Sequence, residues 1–202
     1  MSATPWPTSA AFEPSAMTWK LVPNVLTMTS PFTGHRQTVE TPGARWLATV
    51  TLPAQTPARR ATVEAYFNAL RGPVGRIALW HLMRAKPRGT LDANTTLAGA
   101  LAANESTLTI TAAAGKTILA GDMIGVLLDD GRSQLFQATA DALSISTSMT
   151  VTVTPPARWS AASGRLVTVV RPTAEFLLDE APTITYLPGH GPALTVAMSE
   201  TF

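Results

Sequence analysis

The stretch from Pro42 to Arg76, PGARWLATVTLPAQTPARRATVEAYFNALRGPVGR, constrains the fold more than any other part of the chain. Strand-type and helix-type periodicity meet in it with clear boundaries. In Arg45–Leu52, Trp46, Ala48, Val50 and Leu52 alternate with Arg45, Leu47, Thr49 and Thr51, which predicts a half-buried antiparallel strand. Thr56 suits a helix N-cap and Pro57 the first helical position. Val63, Tyr66, Phe67 and Leu70 fall at i, i+3, i+4 and i+7, so a helix over about 57–70 carries one apolar stripe. Arg60 and Glu64 are spaced i, i+4 and are expected on its solvent side. Gly72 and Pro73 supply the stop.

The remainder reads as short strands broken by turns. Met17–Leu21, Asn24–Ser30 and His35–Glu40 have strand character. Pro31-Phe32-Thr33-Gly34 turns the chain between the last two, and Thr41-Pro42-Gly43 turns it again. Gly75–Leu82 is a strand with Ile77, Leu79 and His81 on one face. From Leu91 the composition shifts to Ala, Thr, Ser and Asp, and Leu91–Leu101 reads as irregular strand or loop. Thr107–Thr111, Met123–Leu128, Ser133–Ala138, Thr147–Val153 and Arg165–Val170 are further strands, with Asp129-Asp130-Gly131-Arg132 as a hairpin turn. Glu175–Asp179, Thr183–Leu187 and Leu194–Met198 complete the set, the last two joined through Gly189-His190-Gly191-Pro192. The Pro-rich residues 1–17 read as an extended arm, in which Trp6 is a candidate docking residue. The expected fold is mainly β, sandwich- or barrel-like, with one clear helix. Residues 1–89 plus 172–202 are expected to form one β-domain, and residues 90–171 a small β-barrel-like domain, inserted or appended.

Composition narrows the chemistry. Apolar residues make up 46% of the 202, enough for a sizeable core. Charged residues are only 14%, against roughly 25% in an average soluble domain, so solvated surface is limited. The absence of cysteine excludes disulfides, thiolate zinc sites and a cysteine nucleophile. No basic, apolar leader opens the sequence, and no apolar run approaches the roughly 20 residues of a membrane span. The net charge of +2 hides an asymmetry: ten Lys/Arg and three acids lie in residues 1–90, five and ten in 91–202. Separate units with different surfaces explain this, as would head-to-tail complementarity between copies. The basic residues are scattered without interleaved aromatics, so no nucleic-acid contact is expected.

Catalytic and cofactor motifs fail one by one. His35, His81 and His190 are far apart and lack a helical i, i+4 partner. Asp129-Asp130-Gly131 lacks the alternating oxygen ligands and distal Glu of a calcium loop. No GxSxG elbow occurs. Gly115-Lys116-Thr117 is a GKT, but Ile110 stands where the first glycine of a phosphate-binding loop belongs. Trp19, Trp46, Trp80 and Trp159 are dispersed and read mainly as core, with Trp159 in the β-domain as a candidate partner or glycan contact. No catalytic, cofactor or metal site is expected.

Several short motifs carry a family resemblance. They are Ser30-Pro31-Phe32-Thr33-Gly34, Gln37 to Glu40, Pro42-Gly43-Ala44-Arg45-Trp46, Thr51-Leu52-Pro53 and Leu70-Arg71-Gly72-Pro73-Val74-Gly75-Arg76. Gly121-Asp122-Met123-Ile124, Pro155-Pro156 and Arg171-Pro172-Thr173-Ala174-Glu175-Phe176 follow in the second segment. Together these motifs resemble the distal tail proteins of the tail tip, or baseplate, of long-tailed bacteriophages. The resemblance implies a non-enzymatic structural protein of the virion, assembled in the host cytoplasm. It implies a ring of copies, usually a hexamer, that joins the tail tube protein to the tip hub protein and the host-recognition apparatus. Under that reading Arg36, Arg45, Arg59, Arg71 and Arg76 are candidate inter-subunit contacts. The alternative is a carbohydrate-binding module of a phage tail, contacting host surface glycans through the β-domain and Trp159.

Overall fold

A computed structural model describes residues 3–41 and 43–201. The strands are β1 (Thr4–Pro5), β2 (Ala16–Val22), β3 (Val25–Thr29), β4 (Arg36–Glu40), β5 (Arg45–Leu52), β6 (Arg76–Leu79), β7 (Thr95–Thr96) and β8 (Thr107–Thr111). They continue as β9 (Thr117–Ile118), β10 (Met123–Leu127), β11 (Ser133–Ala138), β12 (Ala142–Leu143), β13 (Ser148–Thr154), β14 (Leu166–Thr168), β15 (Ala174–Leu178) and β16 (Leu194–Glu200). Helix α1 (Pro57–Leu70) is the one α-helix among the described residues, and 3-10 turns cover Ala10–Phe12 and Gly72–Val74. The fold is mainly β with a single helix, as the periodicity predicts.

The chain divides into two compact units. One holds Met1–Lys20, Trp46–Lys86 and Val170–Phe202, and the other Leu21–Arg45 and Pro87–Val169. Residues 21–45 therefore belong with the β-rich second unit, not with the first as the expected boundaries have it. The division also redistributes charge. The first unit carries eight basic and six acidic side chains, the second seven of each. The asymmetry along the sequence is nearly gone in space, which removes the basis for a bulk head-to-tail attraction.

The first unit is a six-stranded sheet in the order β1-β6-β15-β16-β5-β2. β1 runs parallel to β6, while β15 is antiparallel to β6 and β16, and β16 to β5. The C-terminal strands thus return to the centre of this sheet. The buried face of β5 is Trp46, Ala48, Val50 and Leu52, the set its alternation predicts. Residues 183–186 of the expected strand over 183–187 are instead coil, and Leu187 makes only an isolated bridge to His190. Both sides of β16 are already paired, so no adjacent edge is open to it, and Pro182 and Pro188 flank it without N–H donors.

The N-terminal segment is folded onto this unit from Ala3 onward; Met1 and Ser2 lie outside the described residues, as does Pro42 of the predicted turn at 41–43. Trp6, expected as an arm docking on a neighbour, lies in the core at 2% exposure. Its ring meets Phe12 edge-on at 5.7 Å, Tyr66 at 6.2 Å and Phe67 at 6.3 Å, and its Nε1–H donates to the Phe12 carbonyl. An aromatic in a Pro-flanked segment reaches the helix because the extended backbone is already set by the prolines. Tyr66 donates to the Pro5 carbonyl, and burial pushes its hydroxyl well above the usual phenol range.

Helix α1 has the predicted bounds, but its surroundings differ in two ways. Thr56 occupies the N-cap position with no side-chain capping bond. Arg60, expected in solvent beside Glu64, is buried at 1% exposure, and its Nε and Nη1 have no hydrogen-bond partner. Gly191 makes this possible, since a Cβ there would come within 2.4 Å of the Arg60 Nε. Glu64 instead accepts from the Tyr186 hydroxyl at 2.6 Å. The helix ends with Arg71 in the left-handed region at φ 55°, followed by Gly72. Gly75 donates to the Leu70 carbonyl, and a side chain there would collide with that oxygen.

The second unit contains a six-stranded sheet ordered β7-β14-β10-β11-β13-β8. Its two ends meet through the Leu97–Ile110 bridge and the Ala98 N–H to Thr109 carbonyl bond, so the sheet is a nearly closed barrel. Leu108, Ile110, Ile124, Val126, Phe136 and Val151 fill its buried positions. The predicted hairpin between β10 and β11 is present, with Gly131 at φ 85°. The one deeply buried acid of this unit, Asp122, accepts from the backbone N–H groups of Arg88, Gly89 and Leu119 at 2.7–3.0 Å. A carboxylate with three such donors is compensated for its burial.

Two predictions follow from the first unit. Trp6→Ala should destabilise it by about 3 kcal/mol or more, read as a lower denaturation midpoint, because a fully buried aromatic is lost. His81 packs its ring on Trp19 at 5.2 Å, and burial, with help from the nearby Arg84 charge, holds its pKa below the ordinary 6.5. The unfolded chain therefore takes up a proton that folded His81 resists, and stability is lost as pH falls from 7.5 through 6.5. Thermal melting at pH 7.5 and 6.0 should show a midpoint lower at 6.0 by on the order of one degree, and His81→Phe should flatten the difference.

Candidate interaction surface

Strands β3 and β4 form a separate two-stranded hairpin within the second unit. Its turn closes through the Ser30 N–H to His35 carbonyl and Gly34 N–H to Ser30 carbonyl bonds, at 2.9 and 3.0 Å. Gly34 sits at φ 70°, where the hairpin reversal needs a left-handed residue. At the base, the Thr41 N–H and hydroxyl both donate to the Asn24 carbonyl. Every one of the ten strand residues is exposed.

The register sorts the side chains onto two faces. Leu26 lies opposite Val39 and Met28 opposite Gln37, so one face is apolar except for Gln37. Thr27 lies opposite Thr38, Thr29 opposite Arg36 and Val25 opposite Glu40, so the other face is largely polar. Leu26 is 57% exposed, Met28 64% and Val39 50%, and Phe32 at the tip is 96% exposed. A lone two-stranded hairpin is at best marginally stable in water, and open apolar patches of a few hundred Å² or more mark interaction sites.

A pocket of about 300 Å³ lies at the base of this hairpin. Ala44, Pro155, Pro156 and Ala157 supply its apolar wall, and Glu40 and Asn104 its polar rim. The Arg158 guanidinium closes one side by donating through Nε and Nη2 to the Ala44 carbonyl. The Arg158 N–H in turn donates to Gln134 Oε1. The lining residues are widely separated in sequence, and only the fold brings them together.

The candidate residues do not form one cluster. Arg36 and Arg45 are exposed in the second unit, and Arg59 and Arg71 in the first. Arg76 is half-buried and ion-paired with Glu175 at 2.5 Å. Trp159 is 38% exposed, and the Arg132 guanidinium lies over its ring at 4.5 Å, so one of its stacking faces is taken. The hairpin acids have structural partners. Asp129 accepts from Arg165, which holds its carboxyl below the usual range. Burial acts against ionisation of Asp130, but the backbone and side-chain hydrogen bonds from Arg132 outweigh it and lower the pKa. Lys116 of the GKT bonds the Thr90 carbonyl and Asp92. Among the described residues, no group of three or more His, Asp or Glu is placed to hold a metal ion, and no helix is long and apolar enough to cross a membrane.

The alternation of 25–29 is visible in the sequence, but it shows neither that the apolar face is open nor that the tip phenylalanine stands clear of the fold. No protein-family model matches this chain, and no curated protein matches it either.

Proposed function

We propose that this chain is a non-enzymatic structural protein of a tailed-phage tail tip. It assembles with copies of itself into a ring, hexameric as in the family it resembles, that joins the tail tube protein to the tip hub protein and the host-recognition apparatus. It needs no cofactor, works in the virion and is made in the host cytoplasm. The observation that carries the assembly reading is the open apolar face of the β3–β4 hairpin, with Leu26, Met28 and Val39 uncovered in the single chain. Burial against a partner would remove that surface from water, at roughly 25 cal/mol per Å². The phage context is supported by the motifs of the sequence. Ser30-Pro31-Phe32-Thr33-Gly34 forms the hairpin tip, where the fold itself gives Phe32 nothing to pack on.

The purified chain, alone or mixed with tail tube and hub proteins, should form rings visible by electron microscopy. Substituting Leu26→Glu together with Met28→Glu should abolish them while leaving thermal melting unchanged, because both side chains are already exposed. A chain that stays monomeric at every concentration, with and without those proteins, overturns the proposal.

A further inference from the structure

The hairpin has two unlike ends. Its tip carries Phe32, almost fully exposed, with His35 and Arg36 beside it. Its base carries Glu40 and opens on the apolar pocket walled by Ala44, Pro155, Pro156 and Ala157. Arg36 and Glu40 lie four residues apart on one face of β4, too far apart along a strand to neutralise each other. Neither is ion-paired within the chain among the described residues.

We propose that the base pocket receives the Phe32 ring of a second copy of this chain. The inference rests on the ring reading above and specifies its contact. Three features single out a second copy as the occupant. Among the described residues, Phe32 is a large aromatic with almost no packing of its own, and the base pocket has an apolar wall and a volume at the lower end of ligand pockets, enough for a single aromatic side chain. Arg36 stands beside the knob and Glu40 on the pocket rim, while the Arg158 guanidinium at the pocket is already engaged with the Ala44 carbonyl, so docking brings Arg36 of one copy towards Glu40 of the next. Tip and base are different patches on the same molecule, so the contact is heterologous. Such a contact makes a ring when its rotation closes, and an open filament when it does not.

The test uses the full chain and analytical ultracentrifugation, with circular dichroism melting of each variant as the control for folding. Phe32→Ala should weaken self-association at least about tenfold, as loss of a central aromatic anchor does. Arg36→Glu and Glu40→Arg should each weaken it by about tenfold or more through like-charge repulsion at every contact. An equimolar mixture of these two variants should then recover assembly, because every tip then has a base of opposite charge in the other variant. Monomeric or dimeric wild-type chain overturns the contact. Rings that survive Phe32→Ala, or a charge-reversed mixture that does not recover, also overturn it and leave the ring reading standing on another interface.

Discussion

The first unit depends on one long-range pairing. β16 inserts between β5 and β15, and its last residue, Glu200, accepts from the backbone N–H of Trp46 across 154 positions of sequence. Without that insertion, β1-β6-β15 and β5-β2 are two separate pieces of sheet. The buried carboxylate at Glu200 marks the end of the ladder: it satisfies the first inward-facing residue of β5 with a charge-assisted bond. Pairing at this sequence separation requires a large loop to close first, which makes the sheet slow to form compared with the local hairpins of the barrel.

Strong local signals are legible in the sequence itself. The alternation in 45–52 and the stripe at 63, 66, 67 and 70 each follow from burial of one face, so their bounds transfer directly into the structure. The hairpin between β10 and β11 was legible for a similar reason, since Gly131 and its acidic neighbours have few other uses. Arg60 was not legible. A charged residue at a solvent-type spacing enters the interior only because a glycine far along the chain leaves space beside it. The segment 183–187 has the composition of a strand, but whether a strand forms depends on an open edge, which is a property of the sheet order. The knob and the pocket were hidden for the same reason. Phe32 reads as an ordinary turn residue, and the pocket draws on positions near 40, 104 and 155 that meet only after folding.

The low charge of the chain acquires a physical reading from the structure. A monomer relies on charged side chains to keep its surface solvated and to discourage association. Here the hairpin strands present Leu26, Met28 and Val39 to solvent and carry one basic and one acidic residue between them. An edge of that kind is normally blunted by charge, proline or a bulge. Its retention is economical in a chain that spends its functional life against other chains, and hazardous in one that does not.

The two units interleave along the chain: it leaves the first unit after Lys20, returns at Trp46, leaves again after Lys86 and returns at Val170. The second unit is therefore assembled from two separate excursions. The barrel strands β7, β8, β10, β11, β13 and β14 all lie in the second excursion, so one deletion removes the barrel but not the whole unit. Removing 87–169 alone would strand the hairpin of 21–45 without the proline wall at its base, so any inherited exchange of the module must carry both excursions together.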